Sequence, residues 1–558
     1  MSLSRRGFIK VMSSGVVATS LMACHSESEN SASSASFEHG VASGDPLQTA
    51  VIIWTRVTTQ SSQARVTWQV ASKADFSDIV AFGEITTDSE KDFTVKADAK
   101  GLSAGQHYFY RFLCEGAVSP TGQTKTLAQG ELSAASLAVV SCSNYPAGYF
   151  NVYREIVNQH AQKPFDAILH LGDYIYEYGK DGYATSHAQE LGRVPSRETE
   201  CLSLEDYRAR YAQYRQDKDL QALHAAMPMI AVWDDHEIAN DTWANGAENH
   251  QAGEGSFELR RAAAAAAWLE WLPVRENLES SVLIYRQFSF GNLLDLYMLD
   301  TRVVARAEPL DYFSLDTPSM EGIVDLVTKA RQPDRALLGS HQKDWLQTAM
   351  SQSNATWSVM GQQVLMGRLE LPSSVMTAMF GLFTATDEQK QVALMNVNST
   401  INAYLNDPSS DPNSVPYNLD AWDGFYYERE WLYGLAQNLN KKFISLAGDS
   451  HNAWCSQLKD HSGNPVGVEF ATASVSSPGL EEYLGLDSLA ISHMEYVLPE
   501  MVKELQWADL KQRGFMRLDL TQEKVDSTWH FVSTILQKDY SVETKRVTTN
   551  DGKTISMS

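Results

Sequence analysis

Residues 441–455, KKFISLAGDSHNAWC, decide how the rest of the chain is read. The run KKFISL has the pattern of a buried strand, and it ends in a turn that sets Asp449, His451 and Asn452 almost side by side. A surface turn would account for polar residues there. It would not account for three further apolar runs that end the same way: VVSCSNY at Cys142, HLGDYIYEYG at Asp173 and Tyr176, and VWDDHE at Asp234, Asp235 and His236. Thiolate, carboxylate, phenolate and imidazole all bind metals. In layered α/β sheets, ligands gather at the carboxyl ends of the strands, so ends far apart in sequence can meet. Taken singly, GD is a common turn, DDHE is a helix start with its cap, and a strand-end cysteine is a small buried residue. Four in order, each closing an apolar run, point to one shared site.

The runs also define the architecture. LAVVSC is continuously apolar, as in a strand buried on both faces, and is followed by a helical stretch, YFNVYREIVNQH. AILHLGDYIYEYG, the helical region LEDYRARYAQYRQDKDLQALHAAM, and strand MIAVWDDHE follow; LLDLYMLDTR, TWSVMGQQVLM, FISLAGDSH and GVEFATASVSS read as further strands. Strands alternating with helices predict a layered α/β core. The alanine run Ala262 to Ala267 predicts a helix packed closely on that core. Residues 303–340 and 370–425 read as irregular, rich in Asp, Asn, Ser and Pro, and are expected as surface insertions able to wall a substrate cleft.

Upstream, residues 37–128 carry short alternating runs, AVIIWTRV, ARVTWQVA and HYFYRFLC, parted by turn residues. This patterning predicts a small antiparallel β-sandwich without a catalytic constellation. GLSAGQHYFYRF resembles the turn-then-tyrosine strand of fibronectin III-like domains.

With 558 residues the chain is too long for one ordinary domain. Its 45 basic and 69 acidic residues give a net charge of -24, which argues against nucleic acid or an anionic membrane as a partner. An anionic substrate then requires a local positive charge, for which a metal ion is a natural source. The chain opens MSLSRRGFIKVMSSGVVATSLMAC. Arg5 and Arg6 precede a short, modestly apolar segment, the pattern of a twin-arginine export signal spanning residues 1–24 and not of a membrane span. Its end, LMAC, is close to the lipobox of bacterial lipoproteins, where cleavage leaves Cys24 as an acylated N-terminus. A Ser-rich tether, 25–36, follows. The expected location is the periplasm or cell envelope, reached through the twin-arginine machinery, with membrane contact only through the lipid. Cys114, Cys142, Cys201 and Cys455 are too few and scattered for a disulfide framework; one bridge among Cys114, Cys201 and Cys455 is compatible with the sequence, and spacing does not choose a pair.

The order GD, then DHE, then GDxH resembles the metallophosphoesterase pattern, GD followed by GNH and GHxH. The particular form SCSNY, HLGDYIYEYG, WDDHEIANDTW and GDSHNAW, after the opening HGVASGDPLQTAVIIWTRV and the twin-arginine signal, resembles the PhoD-type alkaline phosphatases and phosphodiesterases. The resemblance implies a metallophosphoesterase-like β-sandwich core flanked by helices over 133–545, preceded by the fibronectin III-like all-β domain. It also implies a binuclear centre. Asp173 would bridge two metals; Cys142, Tyr176 and His451 would complete one position; Asp235 and Asp449 would hold the other. Thiolate and phenolate suit Fe3+, whereas carboxylates favour Ca2+ or another hard divalent ion. CSN stands where the wider family has DxH, so the role of Cys142 rests on the PhoD-type resemblance. Asp234, Asn240 and Asp241 lie close enough in sequence to serve a third metal or to support the first two, although capping and solvation also explain them.

Such a centre would present a metal-bound hydroxide to the phosphorus in line with the leaving group. His236 stands at the GNH histidine, implying transition-state stabilisation or protonation of the leaving oxygen. Arg208, Arg210 and Arg215 fall on one helical region; Arg208 is a candidate for substrate phosphate, against the commoner role of a solvated helix arginine. The leading reading is an exported metal-dependent alkaline phosphatase acting on organic phosphate esters in phosphate scavenging. A phosphodiesterase or phospholipase D is the second. A non-enzymatic, lipid-tethered binding protein with structural metals is the third.

Overall fold

A computed structural model describes residues 35–557 apart from 278–279, 281, 315–319 and 387. The export segment, Cys24 and the tether through residue 34 lie outside the described residues.

Two sheets form the core. The first has ten strands in the order Ser556–Met557, Val542–Thr549, Val525–Val532, Arg513–Thr521, Ala134–Val140, Ala167–His170, Met229–Ala231, Val41–Gly44, Ala50–Arg56 and Thr94–Lys100. Its centre is parallel, with Leu169 opposite Val139 on one side and Ile230 on the other. The second has seven strands: Arg286–Phe290, Leu294–Met298, Trp357–Gly361, Lys442–Ala447, Pro465–Ala471, Ala453–Lys459 and Leu505–Asp509. Ile444 lies in parallel register with Val359 and Val468. Every central strand named in the sequence is present.

Period-two alternation explains how the layers stack. Leu296, Val359 and Ile444 join Leu137, Ile168 and Ile230 of the other sheet in one buried cluster. Their neighbours Tyr297, Met360 and Phe443 face the opposite way, onto helices Gly339–Gln352 and Tyr426–Asn438 through Leu346, Met350 and Leu432. Hydrogen bonds cross the sandwich, from Trp529 Nε1 to the Ala471 carbonyl at 2.8 Å and from Thr472 Oγ1 to the Val139 carbonyl at 3.1 Å. Helices Asn151–Gln162, Leu204–Arg215, Lys218–Ala226 and Phe257–Trp271 pack on the first sheet through Ile156, Tyr207, Leu223 and Trp268. The region 204–227 breaks where the Asp217 carboxylate caps the second helix at the Asp219 and Leu220 amides.

The first hundred described residues form antiparallel strands as patterned, yet they do not stand apart. Val41–Gly44 pairs in parallel with Met229–Ala231, so Ala50–Arg56 and Thr94–Lys100 extend the ten-stranded sheet. Val51 and Ile53 then pack against Val66, Val70, Tyr110 and Phe112 of a separate five-stranded sheet.

Two expectations change. The stretches expected to be irregular contain helices Met320–Ala330, Ser373–Phe383 and Lys390–Asn406. Ile323, Leu326, Val375, Met379 and Ile401 pack in a cluster with Ala447, Trp454 and Ala471 of the second sheet, while the helix-breaking residues Pro372, Asp407 and Pro408 sit at the helix ends. The disulfide left open by the sequence is absent among the described residues: Cys114, Cys142, Cys201 and Cys455 are buried free thiols. Among the described residues, no helix is long and apolar enough to cross a membrane.

Candidate metal centre

Both sheets deliver their parallel strand ends to the same edge. Cys142, Asp173 and Asp234 to His236 follow strands of the first sheet, and Asp449 and His451 follow Lys442–Ala447 of the second. The backbone turns sharply to aim the side chains: Cys142, Asp173, Asp449 and His451 have φ of 60°, 55°, 60° and 61°. Non-glycine residues avoid this left-handed region, and strain there concentrates at functional sites. The glycines of the two GD pairs permit the close approach. A Cβ on Gly172 would lie 2.4 Å from Asp234 Cβ, and one on Gly448 would lie 2.7 Å from Ser141 Cβ.

Three overlapping groups result, each with ligand atoms within 4.8 Å of one another: Cys142, Asp173 and His451; Asp173, Asp235 and His236; Asp234, Asp235 and Asp449. Asp173 belongs to the first two and Asp235 to the last two. Tyr176 joins them, its Oη donating to Asp173 Oδ2 at 2.8 Å and lying 3.1 Å from His451 Nε2. His451 Nδ1 is 2.7 Å from the Pro478 carbonyl, which assigns the proton to Nδ1 and leaves the Nε2 lone pair facing Tyr176 and Asp173.

The electrostatics describe a cluster short of positive charge. Burial and the neighbouring Asp173 push the Cys142 thiol well above its usual range. Burial does the same for the Tyr176 phenol, helped again by Asp173. Burial raises Asp449 to about 7 against the pull of Arg302, with Asp420 and Asp235 adding to the rise. Asp173 Oδ1 and Asp234 Oδ2 are buried with no hydrogen-bond partner. Buried polar atoms are normally satisfied, and a cation among these donors would satisfy them. The residues therefore fit bound metal.

His236 is held from the side, its Nδ1 2.8 Å from Glu177 Oε2. Glu177 is fully buried and also accepts from Asn249 Nδ2 at 2.8 Å and the Asn240 amide at 2.9 Å. Burial alone would lower the His236 pKa; Asp235, Glu177 and Asp173 together raise it well above its ordinary value.

Two sequence candidates are placed elsewhere. Arg208 Nε and Nη2 fork onto Glu270 at 2.7 and 2.6 Å, so this arginine ties helix to helix and does not reach the centre. The Asn240 side chain bonds Glu248 at 3.3 Å, and only its backbone amide serves the site, through Glu177. Of the other helix arginines, Arg210 donates to the Tyr176 carbonyl and Arg215 stacks on Trp54. The Asp241 amide bonds Asp235 Oδ2 at 2.6 Å.

The residue that sequence reasoning missed is Arg302. Fully buried, it contacts Asp234 at 2.5 Å, Asp449 at 2.5 Å and Asp420 at 2.9 Å, with Asp235 at 3.8 Å. LDTR closes the strand run LLDLYMLDTR, so it shares the signal that singled out the other strand ends; an arginine simply did not look like a ligand. Glu237, the last residue of DDHE, was also passed over. Its carboxylate accepts the amides of Asp173, Tyr174 and Asp234 at 3.0, 2.5 and 2.7 Å, locking two site turns together. Asp420, which also holds Arg306, comes from an insertion and had no local signal.

A sandwich with acidic, thiol and imidazole groups converging from both sheets is the architecture of a metal-dependent hydrolase, and sequence comparison makes the class specific. Residues 137–529 match the PhoD-like phosphatase family and residues 23–128 match the PhoD-like phosphatase N-terminal domain. The chain belongs to the PhoD-like phosphatase family and is a phosphoric ester hydrolase. Alkaline phosphatase D of Bacillus subtilis (strain 168) is 32% identical over 467 residues, covering 80% of this chain and 70% of its own. The solved structure of PhoD superposes with a TM-score of 0.75 at 29% identity, covering 93% of this chain and 92% of that one. The fold is thus a mixed α/β fold with several sheets and flanking helices, like that of PhoD.

Proposed function

We propose that the protein is an exported, lipid-anchored alkaline phosphatase that releases phosphate from organic monoesters. In this reading Fe3+ is held by Cys142, Asp173, Tyr176 and His451, and Ca2+ by Asp173, Asp235 and Asp449. The observation that carries it is the single cluster in which Asp173 joins a thiol, phenol and imidazole set to a carboxylate set. Strongly anionic thiolate and phenolate donors suit the trivalent ion, and hard carboxylates the divalent one. The first β unit, 37–128, we take as a fibronectin III-like domain beside a catalytic domain over 133–545. Export rests on the twin-arginine pair and LMAC.

When bound, the metals supply an activated water and positive charge against the phosphoryl oxygens. The remaining work belongs to this chain's own side chains. Glu237 clamps the turns that carry Asp173 and Asp234, so both carboxylates are oriented before substrate arrives. Glu177 binds the Nδ1 proton of His236 and leaves Nε2 for the substrate, where it can donate to a phosphoryl oxygen or protonate the departing alkoxide. Arg302 bridges the Asp234 and Asp449 carboxylates and offsets their mutual repulsion.

The test is hydrolysis of paired aryl phosphate monoester and diester by the mature protein at neutral to alkaline pH, with metal analysis. Monoester turnover that disappears with chelation and returns with calcium, in protein containing iron, is expected. Preference for the diester would move the assignment to a phosphodiesterase or phospholipase D, and zinc in place of iron would overturn the metal assignment.

A further inference from the structure

Beside the acid-rich edge lies a cavity of about 110 Å³ that the hydrolytic chemistry does not use. Leu365, Leu369, Tyr417, Trp454, Leu480 and Tyr483 supply its apolar wall. A small void of about 20 Å³, walled by Met379, Met494 and Leu498, shares Leu369, Tyr417, Trp454 and Leu480 with it and extends the apolar side of the wall.

This space adjoins the metal centre at two points. Ser450 and Asn452, both lining it, flank His451, and Tyr483 Oη lies 3.4 Å from His451 Nδ1. Across the cavity, lining residue Asn418 accepts the amide of Asp420, whose carboxylate holds Arg302. The wall is also fixed: Trp454 Nε1 donates to Ser450 Oγ at 2.8 Å. Its one charged lining residue, Asp423, is engaged by Arg429 and by the Leu369 amide at 3.0 Å. Asn452, only 2% exposed, keeps Nδ2 without a partner.

We propose that this cavity is the subsite for the organic group of the ester, and that preferred substrates carry an uncharged apolar substituent, alkyl or aryl, on the ester oxygen. The inference rests on the phosphoesterase reading and names its substrate class. With the phosphoryl group among Asp173, Asp235 and His236, the ester oxygen leaves with a proton as the free alcohol, and water supplies the oxygen that completes inorganic phosphate. The group on that oxygen then faces either solvent or the wall beside His451. A sugar or glycerol laid against the leucine and tryptophan faces of that wall would bury hydroxyls on apolar surface, which is unfavourable. An alkyl chain would gain about two- to fourfold in affinity for each methylene removed from water.

The test separates binding from turnover. Binding of ethyl, butyl and hexyl phosphonate, whose carbon–phosphorus bond is not hydrolysed, is measured by calorimetry on the metal-loaded protein, with turnover of the matching alkyl phosphates in parallel. Affinity rising at least tenfold from ethyl to hexyl, with Leu480→Gln lowering the hexyl-to-ethyl ratio about tenfold, is expected. The ratio is read within each protein, so partial loss of folded variant does not mimic the effect. Equal affinity for ethyl and hexyl phosphonate overturns the subsite whatever the turnover shows. Chain-length-dependent binding without hydrolysis of any ester would instead retain the subsite and overturn the phosphatase assignment.

Discussion

Replacing Arg302 with methionine removes a cation that touches three carboxylates at the centre. The guanidinium is fully buried and lies 2.5, 2.5 and 2.9 Å from Asp234, Asp449 and Asp420. Removing one partner of a buried ion pair costs about 3–5 kcal/mol, because the partner's charge stays behind. Here three charges stay behind, but they can partly escape by taking up protons, since burial already raises Asp449 to about 7 and pushes Asp234 well above the usual carboxylate range. The single-pair figure of about 3–5 kcal/mol is therefore the working estimate. For 558 residues, unfolding entropy near 2 cal/mol/K per residue converts it to a Tm lower by ~3–4 °C. Thermal unfolding at pH 8 in chelator checks this, with calcium-saturated samples in parallel. A divalent ion among the same carboxylates replaces the missing charge, so the gap should narrow when calcium is added; binding at 100 times Kd contributes about 2.7 kcal/mol. Arg302→Lys should fall between, having charge but no fork. A methionine variant as stable as the parent in chelator, or a gap that calcium leaves unchanged, would refute the view that Arg302 balances the metal-site carboxylates.

Glu177→Gln should lower kcat by roughly 10- to 100-fold while metal content stays at the parental level, because it loosens His236 without touching a ligand; loss of metal instead would assign Glu177 to the metal shell. Arg208→Ala should leave kcat/KM unchanged and lower stability by about 1–3 kcal/mol, as expected for a mostly buried, charge-assisted fork on Glu270; a rise in KM would restore it as a phosphate contact. Burial lowers the pKa of His530, stacked 4.9 Å from Phe515, to about 4. The unfolded chain therefore binds this proton first, and stability conferred by the neutral ring is present above about pH 6.5 and lost as pH falls toward 4. His530→Phe should accordingly gain about 1.4 kcal/mol on the parent for each pH unit across that window in chemical unfolding, and a difference independent of pH would contradict the buried neutral imidazole.

Local pattern determined a large part of this protein. The apolar runs specify the central strands because a strand buried on both faces needs continuous hydrophobicity, and Cys142, Asp173, Asp235 and Asp449 were visible because polar, metal-competent residues closing such runs are out of place. What local pattern missed was long-range. The helices within 303–340 and 370–425 pack on one another, and their Pro and Asp residues, lying at helix ends, disguised the helical periodicity between them. The parallel join of Gly44 to Met229, which extends the core sheet into the first β unit, is a pairing across 185 positions that no neighbouring residue signals. Arg208 looked like a phosphate ligand by charge, and only the placement of Glu270 shows otherwise. Arg302 looked like an ordinary arginine, and only the convergence of strand ends from two sheets makes it the charge at the middle of four aspartates. Sequence reports which side chains are available and the period on which they repeat; which of them come within a few ångströms depends on strand order and layer packing, and at those distances the charges decide one another's state.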